Sequence, residues 1–265
     1  MKHFFNYPIS LMMSTIENLG RYFLLVYLSI KTINQWRDNL TNILNQMISI
    51  GIKSVPIVIF TSLFSGMVAG VQAAYQFDID TGFPVTTETI RYLGSVVGTS
   101  VVIELGPMIT ALVMTGKIGA TISAEIGTMR VTEQIDALEA LSFNPIAYLV
   151  MPRILAATVM FPFLVIIADF FGIIGGLVAS TTAYEPLTVS MFFEGISIYG
   201  RIEVDSMLGL IKALFFGFSI ASIACYKGYY AMGGASGVGK ATTSTVVVSC
   251  IAIVILDYIL AALLL

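Results

Sequence analysis

TVVVSCIAIVILDYILAALLL, residues 245–265, carries a single charge, Asp257, in a run long enough to cross a bilayer. A spanning helix needs about 20 mainly apolar residues, because the hydrocarbon core is about 30 Å thick and a helix rises about 1.5 Å per residue. Four more stretches qualify on reading back towards the N-terminus: about 207–226, a region within 146–182, 93–115 and 55–75. The 146–182 region is too long for one upright span, short for two, and has no clear polar turn. It reads as one long, tilted helix, kinked near Pro162, that projects beyond the bilayer. The expected fold class is therefore an all-α polytopic membrane protein with about five transmembrane helices.

Bulk composition agrees. The chain has 265 residues, 57% hydrophobic and only 11% charged, with mean hydropathy +0.91. A soluble domain carries about 25% charged residues because its surface faces water. Here lipid must cover part of the surface. The net charge of −3 gives no electrostatic case for a nucleic-acid partner. The single histidine, His3, argues against histidine acid–base chemistry and against a His-ligated metal, so no metal site is expected. Cys225 and Cys250 both lie in apolar stretches and read as free thiols packed as small hydrophobes. The start, MKHFFNYPIS, has no apolar core followed by a small-residue cleavage site, so a spanning segment is expected to direct insertion.

Residues 7–36 differ from the spans. Ile9, Met12, Met13, Ile16, Leu19, Phe23, Tyr27 and Ile30 recur at helical spacing, while Glu17, Asn18, Arg21 and Lys31 fall mostly on the other side. This predicts a helix lying in the membrane interface. The alternative, a sixth span through residues 22–30, has a core too short and closely bracketed by Arg21 and Lys31. The chain thus divides into an N-terminal segment, 1–53, and a transmembrane domain, 54–265.

Basic residues set the expected orientation. With five spans and a cytoplasmic N-terminus, Lys2, Arg21, Lys31, Arg37, Lys53, Lys117, Arg130, Arg153, Lys227 and Lys240 lie at or near the cytoplasmic side. Only Arg91, Arg201 and Lys212 fall towards the other side, which carries Asp78, Asp80, Glu88, Glu185, Glu194, Glu203 and Asp205. The C-terminus is then on that opposite face.

Residues 104–141, ELGPMITALVMTGKIGATISAEIGTMRVTEQIDALEAL, hold most of the chemical information. Glu104 is a carboxylate at membrane depth, which is costly and usually faces a cavity or a partner. It can meet lipid headgroups or water in a cavity, or bond a neighbouring helix. Pro107 lacks an amide donor and should kink the second span. From Ser123 onward a short amphipathic helix is expected, with Ile126, Met129, Ile135, Leu138 and Leu141 opposite Arg130, Glu133, Asp136 and Glu139. On composition alone this is an ordinary solvated loop helix. Asp169 and Asp257 are two further intramembrane acids, for which structural pairing is expected. Residues 234–240, GASGVGK, look like a phosphate-binding loop, but Ala241 stands where a magnesium-binding Ser or Thr is required. A flexible turn between two spans is the better reading, and no nucleotide or other cofactor is expected in this chain.

The run from Glu104 to Leu138 closely resembles the signature of MlaE-type permeases, the membrane subunits of lipid-transporting ABC systems that work with MCE-domain proteins. The runs GVGKATTSTVVVS, from Gly237, and LDYILAAL, from Leu256, resemble the same family. The resemblance implies a homodimer in an inner membrane, a cytoplasmic ABC ATPase dimer, a ring of MCE-domain proteins on the opposite face, and phospholipid as substrate. It implies no catalysis by this chain. Residues 124–141 would be the helix that couples to the ATPase, with Glu125, Arg130, Glu133 and Asp136 as its candidate contacts. Glu104 would lie in the lipid pocket together with Leu105, and Val68 and Val71 are further candidates for an apolar wall between the first two spans at the dimer interface. Some members carry Arg before this Glu, where the present chain has Ile103. A rival from another class is an ion-coupled transporter using Glu104, Asp169 and Asp257. No internal repeat with paired broken helices supports it. A membrane anchor that docks an assembly without transporting is a third reading.

Overall fold

The structure is a computed structural model that describes residues 2–35, 39–78 and 86–264. Arg37 and Asp80 lie outside the described residues, as do the side chains of residues 2–12, 14–15, 34–35 and 77–78. The N-terminal segment forms helix α1 (Lys2–Lys31) and helix α2 (Leu40–Ile50). A short 3-10 turn joins α2 to α3 (Val55–Asp78). Helices α4 (Thr87–Ser100), α5 (Gly106–Met114) and α6 (Ala120–Val131) form one continuous rod, interrupted by π-helical turns at Val101–Leu105 and Thr115–Gly119. Helix α7 (Gln134–Ala140) leads through a third π-turn into α8 (Met151–Ala183). Helices α9 (Val189–Tyr199), α10 (Ile202–Tyr229) and α11 (Gly234–Leu264) complete the chain.

Among the described residues, five helical stretches are long and apolar enough to cross a membrane: Leu40–Gln76, Thr87–Val131, Ile146–Ala183, Ile202–Tyr229 and Gly234–Leu264. The region at 146–182 is a single helical stretch, and Pro162 lies inside it. Helix α1 is not among the five. Its Leu25 is buried, Tyr22 shares a hydrogen bond of 2.9 Å with Ser222, and Tyr226 donates to Asn18 at 3.3 Å. It therefore packs beside the C-terminal half of α10, running in the opposite direction.

The bundle has two chemically distinct ends. At the basic end Lys117 donates to the Lys53 carbonyl, and Arg153 pairs with Glu125 at 3.0 Å. At the acidic end Arg91 of α4 pairs with Glu194 of α9 at 2.9 Å. Thr86 and Thr188 accept bonds from Thr89 and Met191, capping the helices that start there. Helices α3 and α8 are in backbone contact: a Cβ on Gly66 would sit 1.9 Å from the Gly172 carbonyl oxygen, and one on Gly175 would sit 2.1 Å from that of Leu63. Glycine is what allows such an approach between membrane helices, where dispersion replaces the hydrophobic drive. Phe161, Phe216, Met114 and Ile220 fill the core, while Phe163, Phe170, Val254 and Tyr258 are exposed on the outside. That outer belt suits lipid rather than water.

Two local expectations change. The stretch from residue 124 to 141 is not one helix. Its first part continues the second spanning rod, and the rod ends at Thr132 because Glu133 is left-handed, with φ 59°. Residues 234–240 are not a flexible turn but the first turns of α11. The connection is shorter, and Gly233 and Gly234, at φ 95° and 65°, make the bend that a side chain would resist.

Candidate functional site

An open cleft of about 490 Å³ lies between α3 and the rod that starts with α4. Helix α3 contributes Ala69, Gln72 and Gln76. The rod contributes Thr99, Ser100, Ile103, Glu104 and Leu105. The cleft is thus apolar along much of its wall, with a line of amides and hydroxyls leading to one carboxylate.

The local sequence explains how Glu104 gets there. Gly106 N–H reaches back to the Val101 carbonyl, closing a π-turn, and Pro107 has no N–H to offer the next acceptor. A π-turn inserts one residue into the helix and turns the side chains that follow; such bulges recur at functional sites. Gly106 is also where Asp169 of α8 comes in, since a Cβ there would lie 1.8 Å from Asp169 Oδ1.

Behind the cleft, Glu104 is anchored. Lys212 Nζ of α10 donates to Glu104 Oε2 at 2.7 Å and forms an ion pair with Asp257 Oδ1 of α11 at 2.8 Å, the latter outside hydrogen-bond alignment. The Lys212 side chain is 2% exposed and that of Glu104 is 42% exposed. The ammonium is buried, whereas the glutamate opens to the cleft. A lone charge at this depth would be prohibitive, so the two acids and the lysine account for each other. With all three ionised the cluster carries one net negative charge.

This arrangement revises several expectations. Lys212 lies in the acidic-end half of α10, as expected, but it is buried in the bundle interior between two acids rather than at a surface. Asp257 is paired, as expected for a structural acid. Asp169 is not: among the described residues its Oδ1 has no hydrogen-bond partner. Glu104 combines the two alternatives, being bonded to a neighbouring helix and open to a cavity at once. Leu105 lines the cleft. Val68 and Val71 are not among the residues that line this cleft; both are exposed on α3, at 55% and 49%. Gln72, Gln76, Thr99 and Ser100 were overlooked, although polar residues spaced by a helical turn within apolar spans are a visible signal. Lys212 had a signal too: a lysine between apolar stretches of a span needs an acid, and the neighbouring spans supply two.

At the basic end, the segment singled out for partner contact is brought together in part. Arg130 bonds Asp136 at 2.6 Å across the Glu133 turn and lies over the Tyr229 ring at 5.8 Å. Tyr229 donates to Glu139 at 3.2 Å. Ile126 and Ile135 are buried, but Leu141 is exposed. Glu125 faces a different way and holds Arg153, whose buried guanidinium also donates to the Leu149 carbonyl at 2.8 Å. Among the described residues there is no cluster of three or more His, Cys, Asp or Glu side chains that could hold a metal. Cys225 is buried, Cys250 is partly exposed, and both are free.

Comparison with known proteins bears on this geometry. Residues 43–263 match the family described as "Permease MlaE". A protein of Rickettsia prowazekii named "Probable ABC transporter permease protein" is 41% identical over 251 residues, 92% of this chain and 91% of its own length. A protein of the same name from Synechocystis is 41% identical over 226 residues, 85% of this chain and 82% of that one. The Haemophilus influenzae protein named "Intermembrane phospholipid transport system permease protein MlaE" is 34% identical over 228 residues, 86% of this chain and 84% of that one.

Proposed function

The chain belongs to the MlaE permease family, and from that membership we propose that it is the membrane subunit of an ABC transporter that moves phospholipid between membranes. The cleft between α3 and α4 carries this reading. Its apolar wall suits acyl chains, and Glu104 with the nearby amides and hydroxyls suits a headgroup. The fixed Lys212–Asp257 pair holds Glu104 in place without closing it off from the cleft.

Energy comes from a separate cytoplasmic ATPase dimer that docks at the basic end, through α7 and the end of α6. The basic end faces the cytoplasm, in keeping with the preference of basic loops for that side. The N-terminus is then cytoplasmic, the C-terminus is on the opposite face, and the membrane is an inner membrane. Two copies of the chain form the transport unit, with exposed Val68 and Val71 extending the apolar wall where the copies meet. A ring of MCE-domain proteins receives or delivers lipid at the acidic end.

The reading is tested by reconstituting the chain with its ATPase in vesicles and following ATP-dependent transfer of a fluorescent phospholipid. Transfer should require the ATPase and should fall when the cleft is filled. ATP-independent transfer driven by a pH gradient would instead favour the ion-coupled alternative.

A further inference from the structure

A second opening lies on the other side of the charge cluster. A groove of about 530 Å³ runs between α1, α10 and α11. Its end at the basic side is polar, formed by Lys227, Asn18 and Tyr226. Beyond it the wall is mainly apolar: Ile223 comes one turn further along α10, then Ser219 and Val248, and Ala252 and Leu256 form the deep end.

The depth of the groove matches one leaflet. Leu256 is the neighbour of Asp257, which pairs with Lys212, so the deep end lies near the level of Lys212 on α10. The step from Lys227 to Lys212 along α10 is about 22 Å at a rise of about 1.5 Å per residue. Half of a bilayer with its headgroup region is about 20–22 Å. A chain-like apolar ligand with its polar end at Lys227 would fit that length.

The charges point to the sign of the polar end. Among the described residues no carboxylate pairs with Lys227. Arg21 of α1, by contrast, is paired with Glu17 at 2.6 Å and lies over the Tyr230 ring. Asn18 accepts from Tyr226 through Oδ1 and lines the same end of the groove, and no protein acceptor is assigned to its amide N–H groups among the described residues. An uncompensated ammonium beside a side-chain amide favours a phosphate, and favours most a headgroup that brings no cation of its own to offset that phosphate.

We infer that this groove binds one anionic phospholipid of the leaflet at the basic end, with its phosphate at Lys227 and Asn18 and an acyl chain against Ile223, Ala252 and Leu256. The bound lipid fills the gap between α1 and α11 and so fastens the N-terminal helix to the bundle. This site is separate from the cleft: the Glu104–Lys212–Asp257 cluster stands between the two.

The test uses the full-length chain in phosphatidylcholine vesicles. The single native tryptophan is removed by Trp36→Phe, and a reporter is placed in the groove by Val248→Trp or beside it on α11 by Val247→Trp. Quenching by brominated phosphatidylglycerol is compared with quenching by brominated phosphatidylcholine at equal mole fraction. The anionic lipid should be preferred about fivefold at position 248, the scale of one basic residue at an anionic surface. The preference should be near unity at position 247. Lys227→Ala should abolish it and Lys227→Arg should retain it. Equal preference at both positions, or a preference untouched by Lys227→Ala, would show general surface attraction and overturn the site. If neither lipid quenches at 248 while both quench at 247, protein covers the groove and the proposal also fails.

Discussion

Lys212 and Glu104 are far apart in the chain yet meet at 2.7 Å in the interior of the bundle, with the lysine almost wholly buried and the glutamate open to a cleft. The pair ties α10 to the π-turn of the second span, and Asp257 ties α11 to the same ammonium. Removing Lys212 therefore harms the fold more than removing either acid. Breaking a buried pair from one side costs about 3–5 kcal/mol in proteins, because the remaining charge stays desolvated. Lys212→Met should lower the yield of folded protein and its melting temperature in detergent. Lys212→Met with Asp257→Asn should recover part of that loss. Glu104→Gln keeps an acceptor for Lys212, so folding should survive while lipid transfer drops. A Lys212→Met protein as stable as the parent would show that the cluster is not structural.

The cleft predicts a positional contrast on α3. Gln72 lines it, whereas Val68, one turn away, is exposed and does not. Gln72→Trp and Ser100→Phe should obstruct lipid transfer by an order of magnitude or more without loss of assembly. Val68→Phe should act only if the second copy brings that face into the pathway. Vesicle-transfer rates separate the cases, and unimpaired transfer in both cleft variants would remove the cleft from the route.

Helix crossing gives a stability prediction independent of function. Gly66 touches the Gly172 carbonyl, while a Cβ on Gly116 would meet nothing within 4 Å. Gly66→Leu should destabilise by about 1–3 kcal/mol or more, as overpacking does when backbone must move. Gly116→Ala should be close to neutral. Thermal unfolding of both variants checks the pair, and similar melting would refute the backbone contact.

These contrasts also show which features a sequence reader can reach. The five spans were legible because each apolar run exceeds what a soluble core helix needs, and Glu104 was legible because a carboxylate inside such a run is costly. The need of Lys212 for an acid was legible too, but which acids serve it was not, since only the packing of the Val101–Leu105 turn, α10 and α11 brings it between Glu104 and Asp257. Within one chain the cleft is lined by Ala69 and Gln72, the positions next to Val68 and Val71 on the same helix, and which of these adjacent faces meets the cleft is set by packing rather than by residue type. The break at Glu133 has no Gly or Pro to announce it, because a non-glycine residue holds the left-handed turn there.

The basic-end orientation can be checked directly. Thr132 follows the second spanning rod at the basic end, and Thr188 caps α9 at the acidic end. Single cysteines at these positions, in a background with Cys225 and Cys250 replaced by Ala, should react with an impermeant maleimide from opposite faces. Thr132→Cys should be labelled only from the cytoplasm. Labelling of both from one face would reject the five-span arrangement.

The turn at Glu133 offers the cleanest test of coupling to an ATPase. Arg130 is satisfied internally by Asp136, so a simple charge reversal at Arg130 breaks an intramolecular pair as well as any partner contact. Exchanging the charges, Arg130→Asp with Asp136→Arg, preserves the internal pair while reversing both signs towards a partner. Glu133→Gly removes a carboxylate and still suits φ 59°, since glycine adopts the left-handed region without steric cost. Glu133→Val removes the same carboxylate but places a β-branched residue in that region, at a cost of about 1–2 kcal/mol. A docked surface responds to charge: the exchange and Glu133→Gly should both weaken ATPase binding and lipid-stimulated hydrolysis, by about twofold to fivefold for exposed charge contacts of about 0.4–1 kcal/mol. A solvated turn responds only to conformation: Glu133→Val alone should then show an effect, on melting and not on hydrolysis. Pull-down of the ATPase and its hydrolysis rate, measured together for the three variants, distinguish the two. Parent-like binding and hydrolysis in both the exchange and Glu133→Gly would mean that Arg130, Glu133 and Asp136 take no part in coupling.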